Sequence, residues 1–236
     1  MVTFLAEVSS NHSNNLNRAL EFVDVAAEIG CDGVKFQLFE INKLFAPEII
    51  KNSKMHRERV NWELPIEFIP KLHKRAIENN IQFCCTPFYL EAVDILDPYI
   101  DFYKVASYEL LWDDLLIKCA QTSKKVVLST GMATMSEILH AVKVLEENRI
   151  NNTTLLHCTS SYPTPYNEAN LAAIKTIADK TKCQLGWSDH TVEPGVIHRA
   201  IHKWDAKLIE FHLDLDEHGY EYKTGHCWLP NKIKEV

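Results

Sequence analysis

Apolar residues gather in eight short runs that begin near residues 2, 32, 81, 101, 124, 153, 183 and 207. Seven of them lead into a stretch of helical periodicity. The spacing from first to last averages about 29 residues, close to one strand-plus-helix unit. The first run, Val2 to Val8, precedes a helix predicted over 16–29, with Leu16, Leu20, Val23 and Ala27 on one stripe and Gly30 as its stop. Further helices are predicted over 65–79, 134–147 (Ile138, Ala141, Val142 and Leu145 facing inward) and 168–180. Between Glu40 and Leu64 lies the longest irregular stretch. It carries Lys51, Lys54, His56, Arg57 and Arg59 and reads equally as a lid or as a solvated insertion. Eight alternating units predict an α/β fold, a (β/α)8 TIM barrel over residues 1–236 as a single domain, with an open doubly wound sheet as the second choice. Only about 24 residues follow the eighth run, so the last helix is expected to be incomplete or atypical.

Composition narrows the partners. Net charge is −7 over 236 residues, so no basic field favours nucleic acid or an acidic membrane. No stretch approaches the roughly 20 apolar residues of a membrane span. Seven cysteines (31, 84, 85, 119, 158, 183 and 227) include no CxxC pair, which fits free thiols in a reducing, cytoplasmic setting.

In a barrel of this kind the C-terminal strand ends build the active site. Taken in order, those ends are Glu7, Lys35 with Gln37, Thr86, Lys104 with Ser107 and Glu109, Ser129 with Thr130, Ser160 with Tyr162, Asp189 with His190, and Glu210 with His212. Every one is polar, most after an apolar stem. Lys35 and Lys104 sit inside apolar runs and need anionic partners: either Glu7, Glu109 and Glu210, or a bound phosphate or carboxylate. Two imidazoles on consecutive strand ends, His190 and His212, are too few for a closed zinc site. They suit an open ion completed by water and substrate, such as Mn²⁺, with Glu7, Asp189 and Glu210 as orienting groups. His218, His226 and Cys227 lack the usual ligand spacing, and Tyr220, Tyr222 and Trp228 are read as packing the tail over the barrel.

The segments Ala6-Glu7-Val8-Ser9-Ser10-Asn11-His12, Val34-Lys35-Phe36-Gln37, Thr86-Pro87-Phe88, Tyr103-Lys104-Val105-Ala106-Ser107-Tyr108-Glu109, Leu128-Ser129-Thr130-Gly131-Met132 and Ser188-Asp189-His190-Thr191 resemble, in this order and spacing, the sialic acid (N-acetylneuraminic acid) synthase family. The resemblance covers residues 2 to about 216 and does not extend to that family's antifreeze-like C-terminal domain. It implies condensation of phosphoenolpyruvate with an open-chain N-acylated amino sugar to a nonulosonic acid and phosphate. It further implies Glu7, Lys35, Lys104 and Glu109 as catalytic groups, and Gln37, Thr86, Ser107, Ser129, Ser160, Tyr162 and Asp189 on the substrates. His190 and His212 would hold a divalent metal, Mn²⁺ before Mg²⁺ or Co²⁺. No nucleic acid or membrane partner is implied, and homo-oligomerisation is left open. The sequence departs from the family at Ser160, where asparagine is common, at Phe211, where lysine is usual, and after Asp216. The competing readings are another metal-dependent barrel aldolase or isomerase, or a catalytically lapsed sugar-phosphate-binding barrel that works with a partner enzyme.

Overall fold

Each apolar run becomes a strand in the computed structural model, which describes residues 1–236. The strands are β1 (Thr3–Glu7), β2 (Gly33–Leu38), β3 (Gln82–Pro87), β4 (Phe102–Val105), β5 (Val126–Ser129), β6 (Thr154–His157), β7 (Gln184–Asp189) and β8 (Leu208–Leu213). Neighbours pair in parallel, and β1 pairs with β8 with Glu7 opposite His212, so the sheet closes into a (β/α)8 barrel. The principal outer helices are α1 (Leu16–Glu28), α5 (Ile69–Glu78), α6 (Leu90–Leu96), α7 (Asp113–Gln121), α8 (Met135–Glu147), α9 (Ala172–Thr181) and α10 (Pro194–Trp204).

Local chemistry sets the helix ends. Asn15 caps α1 by accepting from the Arg18 amide, and Thr134 with Glu137 forms a reciprocal capping box on α8. Pro194 opens α10, and Asp205 closes it in the left-handed region with φ 60°. The buried stripe of α1 is Ala19, Phe22, Val23 and Ala26, rotated from the one expected; Leu16, Leu20 and Ala27 are only partly covered. The helix expected from 168 begins at Ala172, after a short 3₁₀ turn at Tyr166–Glu168. The 40–64 stretch is not irregular. It holds three short helices, α2 (Ile41–Leu44), α3 (Pro47–Asn52) and α4 (Lys54–Glu58), and a 3₁₀ turn. Such pieces are too short to show helical periodicity in sequence.

Strand alternation sorts the side chains into two sets. One set faces the helices and joins the main core: Ala6, Val34, Phe36, Phe83, Tyr103, Val105, Leu128, Leu155, Trp187, Ile209 and Phe211. The other faces the barrel axis, where Leu5, Cys84, Phe102, Val127, Leu156 and Leu208 form a separate apolar cluster that floors the interior. Gly186 occupies an inward position on β7 because a Cβ there would strike the Leu208 carbonyl and come within 2.6 Å of Leu156 Cδ2.

After β8 the chain runs through a loop to a short strand, β9 (Cys227–Trp228), parallel to the end of β8, and to α11 (Pro230–Ile233). The last helix is therefore atypical, as expected. Trp228, 1% exposed, packs the tail into the main core, whereas Tyr220 is 44% exposed and only reaches the ring of Trp62, with centroids 6.0 Å apart.

Candidate active site

Two residues above five of the six members of the apolar floor the inward side chains turn polar (above Leu156 stands Cys158), and this alternation generates the site. Glu7, Thr86, Lys104, Ser129 and Glu210 stand at i+2 from Leu5, Cys84, Phe102, Val127 and Leu208. Lys35 and Gln37 share the same phase on β2, and Ser188 and His190 share it on β7, above Gly186.

These groups are buried and mutually paired. Lys35 Nζ pairs with Glu7, lies 3.2 Å from Glu210 Oε2 and donates to Thr86 Oγ1 at 3.4 Å. Lys104 Nζ donates to Ser129 Oγ at 2.7 Å and lies 3.7 Å from Glu210 Oε1, which also accepts from Ser188 Oγ at 2.9 Å. Of the two sources of negative charge read from the sequence, protein carboxylates therefore meet both lysines. Burial alone would raise the proton affinity of Glu210, but the two ammonium groups and Ser188 outweigh it and hold the carboxyl well below its usual range. Burial lowers that of Lys35 against the pull of Glu210.

Glu109 differs. It is 8% exposed, and burial pushes its carboxyl up to about 7 against the opposing influence of Lys104 and its own backbone. Its Oε2 has no hydrogen-bond partner. Nearby, Ser107 Oγ accepts from the Gly131 amide at 3.0 Å, and Ser160 Oγ is buried without a partner. A Cβ on Gly131 would collide with Ser160 Oγ and approach Ser107 Oγ and Cys158 Sγ to 2.9 Å. The concavity of hydroxyls beside an amide exists because position 131 lacks a side chain.

His190 and His212 meet as expected, with ring centroids 5.5 Å apart. His190 Nδ1 lies 2.9 Å from the Thr159 carbonyl, which can only accept, so Nδ1 carries the proton and Nε2 presents its lone pair. The one neighbour of Nε2, Ser188 Oγ at 3.5 Å, already donates to Glu210. Burial, with His212 adding to it, lowers the proton affinity of His190 to about 3, and burial also lowers that of His212. Neutral, oriented imidazoles with a free nitrogen are what a divalent ion requires, so the donor set fits one. Tyr162 stacks on the His190 ring at 4.1 Å and is 44% exposed.

Asp189 requires correction as a substrate-binding group. It falls on the outward phase of β7 and is fully buried. Its oxygens accept from Trp187 Nε1 (3.0 Å), Thr191 Oγ1 (2.7 Å), the Val192 amide (3.1 Å) and Trp228 Nε1 (2.9 Å). It pins the tail to the barrel and has no oxygen left for a ligand. Phe211 is likewise outward, so its departure from the family pattern lies in the core and not beside the ligands. Gln37 reaches the site's edge, half-buried and opposite Thr86 on β3.

The sequence reading missed Glu221. Its Oε2 lies 3.0 Å from His212 Nδ1 and 3.5 Å from His226 Nε2, while Oε1 accepts from Ser9 Oγ (2.5 Å) and Ser10 Oγ (3.2 Å). Asn11 Oδ1 accepts from its amide at 2.8 Å. Burial would raise this carboxyl, but the imidazoles and Ser9 hold it well below its usual range. His226, set aside for want of ligand spacing, packs against His212 with centroids 4.5 Å apart. Glu221, His226 and Cys227 join His212 in one cluster whose ligand atoms lie within 4.8 Å of one another. No periodicity announces them; the only sequence signal is the density of His, Glu and Cys after Asp216. Away from these strand ends, a groove of about 490 Å³ lined by Tyr166, Asn170, Leu171, Arg199 and Trp204 contains none of the buried ionisable groups.

Known proteins share this fold and much of this sequence. The chain is 38% identical to the N,N'-diacetyllegionaminic acid synthase of Campylobacter jejuni, across 94% of this chain and 70% of that protein. It is 33% identical to the pseudaminic acid synthase of Helicobacter pylori, across 80% of this chain and 58% of that one. The crystal structure of an N-acetylneuraminic acid synthetase from Leptospira borgpetersenii superimposes with a TM-score of 0.90 at 30% identity, over 99% of this chain and 80% of that chain. No helix is long and apolar enough to cross a membrane. Residues 22–236 match the model of the NeuB family, and the chain belongs to that family of synthases.

Proposed function

We propose that this protein condenses phosphoenolpyruvate with the open-chain aldehyde of an N-acylated amino sugar, releasing phosphate and a nonulosonic acid. The observation that carries the reading is the inward, buried set Lys35–Glu7–Glu210–Lys104, with hydroxyls on three sides and two neutral imidazoles above it. The named products of the relatives differ among legionaminic, pseudaminic and neuraminic acids, so the acceptor is proposed only as a class.

In this reading Lys104 with Ser129, and Lys35 with Thr86, hold the anionic ends of phosphoenolpyruvate. The Gly131 amide, Ser107 and Ser160 surround one of them as a cradle. Glu210 pairs with both lysines and Glu7 with Lys35, and together they aim the two side chains. The bond that forms joins C3 of phosphoenolpyruvate to the aldehyde carbon; water then adds at C2, and the C–O bond to phosphate breaks. Glu109 Oε2, its carboxyl raised to about 7, gives its proton to the aldehyde oxygen as that bond forms and recovers one from the water that adds at C2, while the C2 hydroxyl proton leaves with phosphate as the ketone forms. A divalent ion on His190 and His212, Mn²⁺ first in preference, would supply polarisation of the aldehyde oxygen. Tyr162 lies over His190 at the open side and lines the acceptor's approach.

The test is phosphate release from phosphoenolpyruvate with a panel of N-acylated amino sugars, with Mn²⁺ and with EDTA. Metal-dependent release with at least one acceptor is expected. Phosphoenolpyruvate binding without turnover on any acceptor would instead favour a lapsed sugar-phosphate-binding barrel. His212→Ala is expected to abolish metal binding; unchanged affinity would remove the ion from this reading.

A further inference from the structure

We infer that Glu221 and His226, on the loop between β8 and β9, complete the ligand set of the divalent cation, so that three imidazoles and a carboxylate hold it. This rests on the metal reading above and adds two ligands to it. Thr224 fixes the key orientation. Its hydroxyl donates its single proton to the Glu221 carbonyl at 2.5 Å and therefore accepts from His226 Nδ1, also at 2.5 Å. His226 Nε2 is then the ring nitrogen that faces Glu221 Oε2, 3.5 Å away. A ring nitrogen and a carboxylate oxygen at that separation are placed to share one cation, with bonds of about 2.1 Å to each.

The ring spacings agree. With metal–nitrogen bonds of about 2.1 Å an imidazole centroid lies roughly 3.2 Å from the ion, so rings sharing one ion sit roughly 4.5–6.4 Å apart. The three centroid separations are 4.5 Å (His212–His226), 5.5 Å (His190–His212) and 6.4 Å (His190–His226). The loop is held in place from outside the set. Ser9, Ser10 and Asn11 bind Glu221, and Asn11 Nδ2 also bonds the Leu213 carbonyl at 2.9 Å. Cys227, within the same cluster, is left out of the set: its sulfur accepts from Asn11 Nδ2 at 3.5 Å. A nitrogen-rich set discriminates against Mg²⁺, and by intrinsic affinity it ranks Mn²⁺ below Co²⁺ and Zn²⁺.

Calorimetric titration of the full chain with Mn²⁺ tests the assignment on wild type, His226→Ala, Glu221→Gln and His190→Ala, with circular dichroism as the check of folding. His226→Ala and Glu221→Gln are each expected to weaken Mn²⁺ at least about tenfold. Wild-type affinity in both, with binding lost in His190→Ala, would overturn the added ligands and leave the two-imidazole site standing. Undiminished binding in His190→Ala, or none in wild type, would overturn both. Pulsed electron paramagnetic resonance of Mn²⁺ on unaltered protein needs no variant to fold: three bound imidazole nitrogens are expected, and two would refute the inference.

Discussion

Glu210 and Glu109 are both buried carboxylates at the mouth of the barrel, yet their surroundings drive them in opposite directions. Glu210 lies on the floor of the site between Lys35 and Lys104 and accepts from Ser188, so its charge is fixed. Glu109 stands on the rim with one oxygen unpartnered, and burial pushes it up to about 7. Both are buried, Glu210 the more deeply, so countercharge and not burial decides. A buried acid with two ammonium neighbours is a fixture, and the same acid with only a distant one becomes a proton carrier poised near neutrality.

The contrast breaks most severely at the floor. Glu210→Gln leaves Lys104 without its carboxylate and Lys35 with one partner, and is expected to cost about 3–5 kcal/mol in urea unfolding, as when half of a buried ion pair is removed. A loss under about 1 kcal/mol would mean the floor is not electrostatically interdependent. Glu109→Gln should fold normally and lower kcat by about 10²–10⁴, with loss of the pH limb near neutrality. Its stability carries a definite sign. The folded protein binds the Glu109 proton more tightly than the unfolded chain does, whose value is near 4.5. Wild type should therefore lose stability relative to Glu109→Gln as pH rises from about 4.5 to about 7 and level off beyond. A gap that does not change between about pH 5 and about pH 8 would refute the raised carboxyl.

Smaller effects sharpen the division between inward and outward positions. Asp189→Asn should cost about 1–3 kcal/mol through poorer pairing with Trp187 and Trp228, while phosphoenolpyruvate affinity stays at the wild-type value; weakened binding would return Asp189 to the ligand side. Ser129→Ala should cost about 1 kcal/mol in phosphoenolpyruvate binding, read as a rise in KM of several-fold.

The barrel and its polar rim were legible because both follow from alternation: eight apolar runs at unit spacing, each ending in a polar residue. The same rule could have separated Asp189 and Phe211 from the site, since they fall out of phase with His190 and with Glu210 and His212. Glu221 and His226 were not legible. They reach the site through a loop with no period of its own, held by Ser9, Ser10 and Asn11 from more than 200 positions away. The helices inside 40–64 escaped notice because four to six residues cannot register a 3.6-residue repeat.

Those loop contacts also fix an order of assembly. Ser9 and Glu221 are 212 positions apart, and Asn11 and Cys227 are 216 apart. During synthesis β1 waits for nearly the whole barrel before β8 closes on it, and the rim at Glu221 can form only after that closure. The protein therefore acquires its scaffold before its chemistry: a chain halted directly after β8 could hold a closed barrel and still lack Glu221, His226 and Cys227, three of the four groups clustered at His212.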